Sequence, residues 1–96
     1  MKKVMPTHFP PPLVESIADF GSAVRAARTK SGLSIQDAAL MCDVSKQTLQ
    51  NLELGSKPVS FNTALRIAVS MGVSLFVVPT EKRSIVNRLL LPVLEQ

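Results

Sequence analysis

The side chains best suited to chemistry lie between positions 44 and 54. Lys46, Gln47, Gln50 and Asn51 offer amides and one ammonium group, and no carboxylate appears in that stretch before Glu53. Groups of this kind match the edges of base pairs. Gln or Asn bonds adenine through two atoms in the major groove, and Lys donates to the acceptors of guanine. Ser45 adds a hydroxyl at the head of the set. The plain alternative is a solvated helix face, so the case rests on how the neighbouring segments hold these residues.

Catalysis is a poorer fit, and the expectation is that the chain is not an enzyme. It has no pairing of histidine with a nucleophile, no metal-ligand cluster and no phosphate-cradling glycine loop, and its seven carboxylates are scattered. His8 is the one histidine and has no cysteine near it, so neither a metal nor a cofactor is expected. The four phenylalanines read mostly as core residues. With no tyrosine or tryptophan beside them, they make a poor stacking platform for single strands or RNA.

Two short helices must position the polar set. Residues 45–54 read as one, with Ser45 as N-cap and Gly55 able to take the left-handed conformation that ends a helix. Leu49 and Leu52, with Val44 ahead of the cap, give it an apolar side opposite Lys46, Gln47, Gln50 and Asn51. Residues 34–42 read as the other, capped by Ser34 with Asp37 in its first turn. Ala38 and Ala39 permit a close crossing, and Cys42 reads as a small buried hydrophobe. A tight turn, Asp43 and Val44, joins the two helices. Brief helices joined so closely are the layout of a helix-turn-helix, whose second member enters the major groove.

At this point the chain resembles a known family. Over residues 21–72, about half the chain, it is similar to the Cro/phage-repressor type of helix-turn-helix, the XRE family. The matching residues are Arg28, Gly32, Leu33, Ser34, Ala39, Val44, Ser45, Thr48, Leu49, Leu52, Glu53, Gly55 and Pro58, then residues 64–68 and Gly72 and Val73. The resemblance implies a lambda-repressor-like fold and double-stranded DNA as partner. It also implies an ion pair between Arg28 and Glu53, and Lys57 on the DNA backbone with Gln36 among the phosphate contacts. Asn62 and Thr63 stand where a fourth helix begins, and free amides there suit a phosphate. Two residues depart from the pattern: Ile35 replaces a glutamine at the head of the second helix, and Asp43 stands where a turn glycine is usual.

Around this centre, residues 1–12 contain four prolines and read as an extended, mobile arm, in which Lys2 and Lys3 are candidates to lie along phosphates and Phe9 to pack on a partner. The first helix should span 16–30, with Ser16 as N-cap and Asp19 at the capping-box position. Ile17, Phe20, Val24 and Ala27 give it one buried stripe, and Ala23 widens it. A fourth helix should run from Ser60 to about Met71 with Phe61, Ala64, Leu65 and Ala68 inward. The domain is thus expected over 13–72. Val73, Leu75, Phe76, Val77 and Val78 read as a β-strand over 73–79, which leaves its hydrogen bonds unmade unless it pairs across a homodimer. Thr80 is placed to cap a last helix in the apolar tail, residues 80–96, ending before Pro92. Leu40, Met41, Leu89 and Leu90 are candidate partner contacts.

The fold class expected is therefore all-α, with four to five helices and one short C-terminal strand pairing across a homodimer. This arrangement resembles the HipB-like antitoxins, which implies an autorepressor that binds a palindromic operator as a dimer and holds a HipA-like kinase toxin. A stand-alone XRE-family regulator without a toxin, and a module whose main work is holding a toxin, are the alternatives. The length of 96 residues allows one small domain, which gains burial from a dimer. The formal net charge of +4 and pI near 9.7 suit an anionic partner. No stretch is a membrane span, and Lys2 and Lys3 run into prolines, unlike a signal peptide, so a cytoplasmic protein is expected.

Overall fold

The computed structural model describes residues 3–95. Five helices follow one another: α1 (Ile17–Lys30), α2 (Ile35–Cys42), α3 (Lys46–Leu54), α4 (Phe61–Met71) and, after a single 3₁₀ turn at Thr80–Lys82, α5 (Arg83–Leu94). Local chemistry sets the ends of the first four. Ser16, Ser34, Ser45 and Ser60 each accept from the backbone N–H three residues on, satisfying one of the amides that a helix start leaves free. Asp19 N–H is the donor to Ser16 Oγ, over 3.1 Å. The Asp19 carboxylate accepts from the N–H of Glu15, one residue ahead of the cap, over 3.0 Å.

The core gathers where α1, α2, α3 and α4 meet. Val24, Leu49, Leu52 and Ile67 are its largest fully buried side chains, each stabilising the fold by about 1.5–3 kcal/mol. Ala38, Ala39, Ala64 and Ala68 let the backbones draw close around them, and Phe20 and Cys42 complete the cluster. Ile17 and Phe61 do not join it. Each is the first residue of its helix, lies beyond the packed crossing and is exposed, Phe61 at 72%. Among the four phenylalanines only Phe20 is buried; Phe9, Phe61 and Phe76 are exposed, so the core reading fails for three of them.

One crossing sets the position of α3. Gly21 on α1 lies against the α3 backbone, and a Cβ there would overlap the carbonyl oxygen of Leu52 and stand 2.8 Å from that of Glu53. Hydrogen in place of a side chain is what allows this approach.

The C-terminal part departs from the sequence reading. Among the described residues there is no strand: residues 73–79 run without regular structure, because a single chain supplies no second edge for them. Helix α5 does not stop before Pro92 but continues to Leu94, with the proline in its last turn, where Glu95 N–H still closes on Leu91 O over 3.1 Å. No residue of α5 is buried. The arm has no helix, as its prolines dictate, and is fastened at Thr7, whose N–H donates to the buried Thr29 Oγ1 over 3.0 Å. Phe9, Val14, residues 73–78, Leu91 and Leu94 border one mostly apolar groove of about 900 Å³.

Candidate nucleic-acid interface

The polar set sits on α3 as a continuous outward face. Lys46, Gln47 and Gln50 are exposed and Asn51 is half-buried, while Leu49 and Leu52 on the other side have no accessible surface. Two of the outward side chains are bonded to each other, Gln47 Nε2 donating to Asn51 Oδ1 over 2.9 Å. Ser45 is occupied by the helix itself. Its Oγ accepts from Thr48 N–H (3.0 Å) and donates to Thr48 Oγ1 (2.8 Å), which limits its freedom to reach a base.

The inner edge of α3 is held by charge. Arg28 Nε and Nη2 donate to Glu53 Oε2 and Oε1 over 2.7 and 2.9 Å, and Arg28 Nη1 donates to Leu33 O over 2.9 Å. Both partners are nearly out of water, at 9% and 6% exposure. Glu53 is thus withdrawn from the outward face and its charge is compensated, leaving that face without a carboxylate. At the C-terminal end Gly55 takes φ +62°, and a Cβ there would stand 3.0 Å from Ala18 Cα, so the turn out of α3 also rests on α1.

The turn into α3 is formed by Asp43, the one non-glycine residue with positive φ among the described residues, at φ 56° and ψ 46°. Aspartate enters this region more readily than most residues. The strain is shared by Val44 N–H bonding Ala39 O (3.0 Å) and by Arg66 Nη2 on α4 reaching Asp43 O over 3.5 Å. Ile35, the departure at the head of α2, packs half-buried against the core, so it contributes burial there.

The other candidates lie around the same helices. Gln36 is exposed in the first turn of α2, Lys57 in the loop after α3, and Asn62 at the head of α4. Thr63 is half-buried, and its N–H and Oγ1 are both engaged by Ser60 Oγ, at 3.1 and 2.8 Å. Lys3 is exposed, whereas Lys2 lies outside the described residues. Cys42 is buried, and that burial pushes its thiol above the ordinary value, against weaker opposing effects of Ser70 and Arg66; it is a packing residue. Gly21 and Arg66 are the contributors the sequence reading missed. Arg66 was visible there as a cation on the fourth helix, and Gly21 carried no signal.

A family model described as helix-turn-helix, of the XRE type, matches residues 24–78, more than half of the chain. The chain belongs to this family. The XRE-type match takes in all of α2, α3 and α4, and it makes the protein a DNA-binding transcription regulator with an all-α helix-turn-helix fold. No curated protein matches the chain. No helix among the described residues is long and apolar enough to cross a membrane.

Proposed function

We propose that this XRE-family protein is a sequence-specific repressor that binds a palindromic operator as a homodimer, with α3 in the major groove. The observation that carries the reading is the asymmetry of α3: its inner side is locked by Leu49, Leu52 and the Arg28–Glu53 pair, and its outer side is exposed, amide-rich and free of carboxylate. In this reading Lys46, Gln47, Gln50 and Asn51, with Ser45 at the helix head, face base edges. Gln36, Lys57, Asn62 and Thr63 set register on the phosphates. Phe76 and Val77, the latter 99% exposed in one protomer, support the second half of the reading, in which Val73, Leu75, Phe76, Val77 and Val78 pair with the same segment of a second copy. A twofold dimer then places its two copies of α3 about one helical turn, roughly 34 Å, apart.

The toxin–antitoxin role, as a HipB-like autoregulator holding a HipA-like kinase toxin, extends the same proposal. Its support is apolar surface away from α3. Leu40 is 75% exposed, Met41 and Leu89 are exposed as well, and Leu90 is half-buried. A stand-alone regulator uses the same α3 face and differs in leaving those residues uncovered by a second protein. Neither role calls for a catalytic centre or a cofactor.

The test is a salt titration of duplex binding. The logarithm of affinity should fall linearly with the logarithm of salt, and Lys57→Ala should flatten that slope by about one while weakening all sequences alike. Affinity that ignores salt contradicts DNA binding through this face, and an unchanged slope removes Lys57 from it.

A further inference from the structure

The amide of Gln47 has a partner on its own helix. Its Nε2 is bonded to Asn51 Oδ1 one helical turn on, whereas Lys46 and Gln50 make no side-chain hydrogen bond among the described residues. An amide nitrogen holds two hydrogens and the amide oxygen only accepts. The bond to Asn51 takes one of those hydrogens. What Gln47 still offers outward is one donor beside one acceptor.

That remainder selects among bases. In the major groove adenine presents one acceptor, N7, beside one donor, N6, whereas guanine presents two adjacent acceptors, N7 and O6. A free glutamine can swing its nitrogen toward guanine and give it both hydrogens. A glutamine tied to Asn51 has one left, and its oxygen faces guanine O6 as an unmatched acceptor. We propose that Asn51 is a positioning residue that commits Gln47 to adenine and against guanine at one position of each half-site. This deepens the reading of α3 as the base-reading helix and rests on it. Asn51 is half-buried and Gln47 exposed, so the inner side chain is the anchor and the outer one the reader.

The test selects binding sites from random duplexes with the full chain and measures base preference at every position for the native protein, Gln47→Ala, Asn51→Leu and Asn51→Asp. Gln47→Ala marks the position that Gln47 reads. There the native protein should prefer adenine over guanine by about tenfold or more, as one good two-atom contact gives, and Gln47→Ala should abolish that preference. Asn51→Leu, of similar bulk but without the acceptor, should cut it to about threefold or less and leave the salt slope unchanged. Asn51→Asp keeps an acceptor oxygen and should retain the adenine preference while binding every sequence more weakly, because its charge repels phosphates. If Asn51→Leu does not fold, Asn51→Ser, whose hydroxyl is too short to reach Gln47, is read in the same way. Full adenine preference without the Asn51 acceptor, or guanine preferred at the Gln47 position, overturns the positioning role and leaves base reading by α3 standing. No position altered by Gln47→Ala overturns base reading by that residue and the proposal with it.

Discussion

The guanidinium of Arg28 on α1 holds both carboxylate oxygens of Glu53 on α3, and its remaining nitrogen is bonded to the carbonyl of Leu33, so one buried cation ties together α1, α3 and the loop that leads into α2. Removing one member of such a pair leaves the other charged and out of water. Arg28→Met or Glu53→Gln alone should therefore cost about 3–5 kcal/mol, seen in chemical denaturation as a lowered midpoint. Arg28→Met combined with Glu53→Leu should recover most of that loss, because the desolvation penalty goes with the charges. A single-variant loss under about 1 kcal/mol would be the behaviour of a surface pair.

Gly21 and Gly32 should respond differently to alanine. At Gly32 the cost is conformational, about 1–2 kcal/mol, since φ is +74° and nothing lies near the added carbon. At Gly21 the added carbon overlaps the backbone of α3, so α1 and α3 must part, at about 1–3 kcal/mol or more. Only Gly21→Ala should also lower DNA affinity, because only it displaces α3. Thermal melting with duplex titration of both variants checks this, and equal affinities for the two would contradict the assignment.

Val77→Pro deletes a backbone N–H that has no hydrogen-bond partner among the described residues and that the proposed pairing between copies would use. The variant should keep the helical signal and melting of the separate protomer but sediment as a monomer. A variant that still sediments as a dimer would rule out the paired segment.

Much of the fold was legible because it is locally encoded. The serines at 16, 34, 45 and 60 and the glycines at 55 and 72 declare helix ends through bonds that span a few residues. The outward face of α3 was legible from periodicity. Ile17 and Phe61 kept the right period yet fell outside the core, since periodicity does not say where a helix outruns its neighbours. Pro92 does not stop α5, which runs on to Leu94 although the proline has no N–H to give the carbonyl four residues back. Gly21 was invisible because its reason is the α3 backbone, remote in sequence. The bond between Gln47 and Asn51 follows from their spacing of four, which places two side chains side by side on a helix.

The central claim is that the exposed face of α3 reads base pairs. Gln50 tests it most directly, being exposed, outside the bonded pair and remote from the core. Titration of the native chain and Gln50→Ala against the preferred duplex and a random one, at fixed salt, should show a loss of about 1–3 kcal/mol on the preferred duplex and much less on the random one. Equal losses on both, or none on either, would contradict base reading by this face.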